Sequence, residues 1–156
     1  MTDETQAQEL PPLMINGQYV KDLSFEVPGA PAIFNEMQAA PEIPIHVDVS
    51  VNPLGGNVYE VVLHLRAEAT SAGKPVFIAE VAYGGVFTIN VPAEHVQPLL
   101  LVECPRMLFP FVRRLIADLS RDGGFPPLMV QPIDFVQLYR NRMQEQMAAQ
   151  APVGQA

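Results

Sequence analysis

Ile43-Pro44-Ile45-His46-Val47-Asp48-Val49-Ser50-Val51 alternates apolar and other side chains without a break. Successive side chains of a strand point to opposite faces, so Ile43, Ile45, Val47, Val49 and Val51 share one face, and Pro44, His46, Asp48 and Ser50 the other. A helix would scatter those five residues around its circumference. The stretch is therefore a half-buried strand. Pro44 cannot donate a ladder bond, which puts it near the strand's start or on a sheet edge.

The same period of two extends outward in both directions. Upstream, Tyr19, Leu23, Phe25 and Val27, with the stem of Lys21, are expected on an inward face, opposite Asp22, Ser24 and Glu26. Downstream, Val58 to Thr70 turns Tyr59, Val61, Leu63, Leu65, Ala67 and Ala69 inward, with Glu60, His64, Arg66 and Glu68 outward. Val76 to Val91 continues with Phe77, Ala79, Val81, Tyr83, Phe87 and Ile89 inward. Pro53-Leu54-Gly55-Gly56 and Ser71-Ala72-Gly73-Lys74 read as hairpin turns, so at least strands two to four form an antiparallel meander. Gly84-Gly85 marks a bulge or a close backbone approach.

After Pro92 the period changes to 3.6, punctuated by Pro98, Pro105 and Pro110. The clean helical run is Arg106 to Arg121, with Leu108, Phe109, Val112, Leu115, Ile116 and Leu119 as its apolar stripe. Gly123 supplies the stop. A second helix starts at Asp134, an N-cap with Gln137 as the other half of a capping box and Ile133 and Leu138 as a hydrophobic staple. In it Phe135, Tyr139, Met143 and Met147 recur every four residues. Between the helices, Gly123 to Asp134 is a loop by its glycines and prolines but largely apolar by its side chains. Surface connections are normally polar, so this one either covers the core or offers itself to a partner. The expected class is α+β, a four-stranded antiparallel sheet with two main helices on one face. The domain is expected over residues 18–147, with flexible segments at 1–17 and 148–156.

At 156 residues the chain fits one domain, able to bury about 70% of its unfolded surface. Its one cysteine, Cys104, allows no intrachain disulfide framework and suits a reducing compartment. The acidic start Met1-Thr2-Asp3-Glu4 is unlike a secretory signal, and no apolar run approaches the ~20 residues of a membrane span. A cytoplasmic protein without direct membrane insertion is expected. Of the net charge of −8, residues 1–105 carry three basic and thirteen acidic side chains, and residues 106–156 six and four. The acidic first part argues against nucleic acid, whose phosphates need a basic footprint, and favours a basic protein partner.

No catalytic chemistry emerges. Three-residue hairpin loops would set His46 opposite His64 and His64 opposite Glu80, a metal-ligand row, but on an outward polar face with no evident cavity. The expectation is no metal and no cofactor. Cys104 lies in an apolar stretch and reads as a small hydrophobe. The paired glycines lack the spacing of a dinucleotide or phosphate-binding loop. A binding protein is the outcome, and its apolar surplus points to an oligomer.

Five segments, in order, resemble the SecB family of bacterial protein-export chaperones: Tyr19 to Pro31, Tyr59 to Leu63, Glu80 to Phe87, Cys104 to Pro110, and Gly124 to Phe135. The resemblance implies a homotetramer, a dimer of dimers with helices between two extended sheets. It also implies an ATP-independent chaperone that keeps unfolded preproteins competent for export and delivers them to the motor SecA. It implies SecA contacts at Asp22, Glu26, Ile78 and Glu80. Subunit contacts are implied at Ala79, Val81 and Tyr83, and expected along the first helix's stripe at Phe109, Val112, Leu115, Ile116 and Leu119. Client segments are expected in grooves contacted by Ile45, Val47, Phe125, Leu128, Met129, Val130, Phe135, Leu138 and Tyr139. Two alternatives stand beside this: a small-ligand-binding or isomerase-type domain using Tyr83 or His64, and a chaperone of the same fold serving a toxin–antitoxin system.

Overall fold

Two tight turns set the sheet. Strands β2 (Ile45–Gly55), β3 (Val58–Ser71) and β4 (Lys74–Ile89) follow one another as an antiparallel meander in the computed structural model, which describes residues 9–151. The β3–β4 turn holds Ala72 and Gly73 both at positive φ (49° and 77°), the backbone hand that matches strand twist in a two-residue hairpin. Strand β1 (Leu13–Glu26) returns antiparallel to β4, giving the order β1-β4-β3-β2 and leaving β1 and β2 as free edges among the described residues. A short helix α1 (Ile33–Glu36) lies in the β1–β2 connection.

Both hairpin turns are one residue shorter than the sequence suggested, and each has an adjacent register shift, at Pro53/Gly55 and at Ala69/Thr70. The two effects together displace the expected pairing by two residues. His46 thus faces Arg66, His64 faces Ala82, and Glu80 faces Arg66. The His46–His64–Glu80 row does not form. Among the described residues no group of three His, Cys, Asp or Glu is placed to hold a metal ion.

Strand β1 corrects two further expectations. It begins at Leu13, which pairs with Ile89, so 13–17 belong to the sheet rather than to an arm; residues 1–8 lie outside the described residues. A bulge between Val20 and Asp22 then inserts Lys21 as an extra residue, and an inserted residue switches the faces of those before it, here back to a second shift between Ile15 and Gly17 that restores them. Leu23 and Phe25 face inward and Asp22, Ser24 and Glu26 outward, but Tyr19 and Lys21 lie on the outer face. There the Tyr19 hydroxyl and Lys21 Nζ (2.9 Å) both donate to the Glu60 carboxylate. The paired glycines of β4 accommodate this on one side and the helices on the other. A Cβ on Gly84 would sit 2.7 Å from the Tyr19 ring, and one on Gly85 2.6 Å from the Phe87 ring and 3.0 Å from Leu108.

The helical segment runs continuously through all three prolines: α2 (Ala93–Pro98), a π-helical turn over Leu99–Glu103, and α3 (Cys104–Asp122). It is longer than the expected 106–121 because Pro98, Pro105 and Pro110 are absorbed in it, with the wider π winding between the first two. Helix α3 packs on β4 and β3. Leu108, Val112 and Ile116 are fully buried with Val61, Leu63, Leu65, Ala79 and Val81, each of the Val, Leu and Ile side chains contributing roughly 1.5–3 kcal/mol. Cys104 is buried here too, and burial pushes its thiol up to about 12, leaving it a packing group rather than a nucleophile.

Helix α4 (Phe135–Gln150) behaves differently. Asp134 Oδ1 accepts the Gln137 backbone N–H (3.0 Å), but the Gln137 side chain turns forward to Asn141 (2.8 Å), so only half of the expected capping box forms. Phe135 is buried against Phe109, with ring centroids 6.2 Å apart. From Gln144 to Gln150 every residue is exposed, and the helix continues past the expected boundary at 147. α4 leans on the π turn rather than across the sheet.

Candidate functional site

The loop between α3 and α4 is tied down by side chains at five-residue intervals. Phe125, Val130 and Phe135 are all buried. Phe125 joins an aromatic cluster, 5.1 Å from Phe77 and 5.2 Å from Phe34, and Phe77 lies 5.4 Å from Phe25. The buried Ser120 hydroxyl donates to the Ile116 carbonyl (2.9 Å) and accepts the Leu128 backbone N–H (2.8 Å), spanning helix and loop. Three of the nine expected client contacts, Phe125, Val130 and Phe135, are thus largely buried, although Val130 still lines the depression beside β2. The residues between them are the ones presented: Leu128 is half-buried and Met129 is 51% exposed.

Those presented residues face β2. One depression of about 340 Å³ lies between Ile43, Ile45 and Val47 on one side and Leu128, Met129 and Ile133 on the other. A second, of about 410 Å³, lies between Val47, Asp48 and Val49, the π-turn residue Leu101, and Leu138, Tyr139 and Arg142 of α4. Val47 lines both, so the two are read as one groove running along the free edge of the sheet. Seven of the nine sequence-derived contacts, Ile45, Val47, Leu128, Met129, Val130, Leu138 and Tyr139, are brought together there.

Sequence reasoning missed Arg142, whose Nη1 donates to the Val49 carbonyl at 2.7 Å and joins α4 to the edge of β2. Its spacing offered a partial signal, since Leu138 and Arg142 are four apart and share a helix face.

The outer face of the sheet carries the second constellation. Asp22 and Glu26 on β1 are exposed, Glu80 on β4 is exposed, and Ile78 is half-buried; Glu26 pairs with Ile78 and Ser24 with Glu80. All four residues expected to bind SecA therefore share one face and one end. A cleft of about 310 Å³, lined by Asp22, His46, Asp48, His64, Arg66 and Glu80 among others, opens where no cavity was expected. Three outward carboxylates are already paired within the chain. The Arg66 guanidinium bridges Glu80 and Glu68, the latter at 3.0 Å, and Glu60 holds Lys21 and Tyr19. Glu60 is kept below the usual carboxylate range by the Tyr19 hydrogen bond first and those of Lys21 second. Burial, then the bond to Glu60, pushes Tyr19 up to about 12.

The subunit-contact expectations divide. Ala79, Val81, Val112 and Ile116 are at most 2% exposed within the single chain. They are core under α3 and have no area to share with a second subunit. Tyr83 is nearly buried, its ring stacked on Phe111 at 5.7 Å. Phe109, Leu115 and Leu119 are half-buried. What α3 offers outward is Met107 and Phe111, and beside them β1 leaves Ile15, Val20 and Leu23 uncovered on its helix-side face. Arg113 Nε is buried with no hydrogen-bond partner among the described residues. No helix of the described residues is long and apolar enough to cross a membrane.

Residues 6–146 match the family model described as preprotein translocase subunit SecB. The protein-export protein SecB of Paramagnetospirillum magneticum is 60% identical over 152 residues, covering 96% of this chain and 98% of that protein. Its counterpart from Rhodospirillum rubrum is 56% identical over 146 residues, covering 92% and 91%. Among solved structures, a SecB-like chaperone of Mycobacterium tuberculosis, in complex with a peptide from the HigA1 antitoxin, superposes with a TM-score of 0.61. It covers 79% of this chain and 91% of that one at 15% identity, a likeness of fold.

Proposed function

The chain belongs to the SecB family of protein-export chaperones, and from that premise we propose that it holds unfolded preproteins in the groove beside β2 and passes them to SecA at the outer acidic face. The single observation that carries the client reading is the groove itself: apolar walls from Ile45, Val47, Leu128 and Met129 beside an unpaired strand edge. Apolar burial gives about 25 cal/mol per Å² without demanding a sequence. Methionine adapts to varied partners, and an open edge offers backbone bonds to any extended chain. Several such grooves around one oligomer hold a long client through effective concentration, so no one groove needs high affinity.

We further propose a homotetramer, built as a dimer of dimers in the cytoplasm. The uncovered β1 residues Val20 and Leu23, the outward Met107 and Phe111, and the orphaned Arg113 Nε support a subunit contact along β1 and the outer side of α3. SecA docking rests on the shared outward placement of Asp22, Glu26, Ile78 and Glu80, where basic groups of a partner meet exposed acids. The chemistry is binding and release, with no bond made or broken.

Cross-linking or NMR mapping of an unfolded export precursor on the protein tests the client reading. Contacts concentrated at Val47, Leu128, Met129 and Leu138 are expected. Contacts confined to the outer face would defeat it.

A further inference from the structure

The hydrogen bonding of β2 fixes which of its backbone groups are free. Glu42 and Thr70 exchange both backbone bonds (2.9 and 2.8 Å), and Glu68 N–H donates to the Pro44 carbonyl. The β2–β3 register then runs unshifted from Ile45 to Pro53. In an antiparallel pair, alternate residues point their N–H and C=O toward the partner and away from it. The even-numbered residues of β2 therefore pair with β3, and Ile45, Val47, Val49 and Val51 present theirs to the free edge. These are also the residues whose side chains face the helix side, where the groove lies. An extended polypeptide laid against this edge meets open backbone groups at these four positions and half-buried apolar side chains at Ile45, Val47 and Val51, the Val49 side chain being buried.

One of those open groups is already taken. The Val49 carbonyl accepts Arg142 Nη1 at 2.7 Å, from a part-buried guanidinium on α4. Charge-assisted bonds of this kind are among the stronger ones, and α4 has little else holding it to the sheet, since its packing is chiefly on the π turn. Arg142 thus spans the groove between its two walls at the middle of the free edge.

We propose that Arg142 is a latch on the client groove: it fills the edge acceptor that an extended client backbone uses, and a client strand must displace it to pair along β2. This deepens the client reading and rests on it. A latch closed in about nine molecules of ten would weaken apparent client affinity about tenfold. It would also keep the edge from pairing with other strands when no client is present.

The test uses the full chain, with a reduced, alkylated and permanently unfolded polypeptide as probe. Arg142→Ala is expected to bind it about three- to tenfold more tightly, and Arg142→Lys, which keeps a cationic donor, to stay close to the parent. A probe methylated on alternate backbone nitrogens, unable to pair along an edge, should erase the difference. Unchanged or weaker binding by Arg142→Ala overturns the latch, weaker binding marking Arg142 as a direct client contact. A merely structural role would lower the melting temperature without tightening binding. Val47→Asp with Met129→Asp separates the two failures. If that pair leaves binding intact, the groove reading falls and the latch with it; if the pair weakens binding and Arg142→Ala tightens nothing, only the latch falls.

Discussion

Strands β1 and β2 form the two free edges of one sheet, yet β1 is broken by register shifts at Ile15/Gly17 and Val20/Asp22, while β2 runs unbroken from Ile45 to Pro53. A bulged edge accepts only a partner shaped to match its irregular ladder. A regular edge pairs with any extended chain, which is hazardous unless covered. The difference suits the two tasks proposed for them. β1, with Val20 and Leu23 uncovered, fits one defined copy of the same chain; β2, whose Val49 carbonyl is held by a side chain from α4, fits clients of many sequences.

The largest effects should come from putting charge into each edge. Val20→Asp with Leu23→Asp is expected to break the proposed tetramer into smaller species, read as a fall in mass by light scattering, with client affinity per groove nearly kept. Val47→Asp with Met129→Asp should leave the mass unchanged and weaken binding of an unfolded polypeptide tenfold or more. If both pairs act on both readouts, the edges are not separate in function.

Next in size is the outer face. Asp22→Asn with Glu26→Gln is expected to weaken SecA binding about tenfold in low salt and to flatten its salt dependence, without touching client binding. Isothermal titration at two ionic strengths measures this. Equal losses at both would point to lost shape rather than lost charge.

These contrasts also show what could be read in the residues. Parity placed β2, β3 and β4 because their apolar positions alternate without interruption, and it placed Asp22, Glu26, Ile78 and Glu80 on one face. It failed at Tyr19 and Lys21, because one inserted residue reverses a strand's faces and nothing near Val20 marks the insertion locally. Only Gly84, which makes room for the Tyr19 ring on the far strand, hints at it. The apolar loop was legible as a misfit, but not which of its residues are buried: Phe125, Val130 and Phe135 against Leu128 and Met129 depends on where α3 and the Phe25–Phe77 cluster stand. Core and interface were confused at Val112 and Ile116 for the same reason, since an apolar stripe does not say whether its own sheet or another subunit covers it; Ala79 and Val81 were carried over from the resemblance and are core as well.

The bulge of β1 gives a smaller prediction with a definite pH sign. Glu60, held below the ordinary carboxylate value of 4.5 by Tyr19 and Lys21, adds stability that is fully present above that value and fades as pH falls through its lower folded-state value. Glu60→Gln should therefore lower the melting temperature by about 2 °C at pH 7, the scale of a partly exposed charge cluster in a domain of this size. The gap should begin to close as pH falls below the ordinary carboxylate value and be lost as it falls through the lower folded-state one. A gap that stays constant down to pH 3 would mean that packing around Tyr19, rather than the carboxylate's charge, holds the bulge.

The smallest effect expected, and the most specific to this chain, concerns Arg66. Its guanidinium bridges Glu68 on its own strand and Glu80 on β4, so in the proposed docking a basic group of SecA would meet a carboxylate that already has a cation. All three side chains are well exposed, where such pairs are individually weak and screened by salt. Displacing Arg66 is therefore cheap, and its removal should matter little to folding. Arg66→Gln is expected to bind SecA about twofold more tightly in low salt, with the gain vanishing at high ionic strength, because Glu80 is then free and the local charge one unit more negative. Arg66→Lys should fall between, since an ammonium cannot fork across two carboxylates as a guanidinium does. Weaker binding by Arg66→Gln would assign Arg66 the opposite role, that of holding Glu80 in the position SecA reads. In that case the outer face would resemble the β2 edge no longer: there a side chain stands in the way of a partner, and here it would be preparing the way for one.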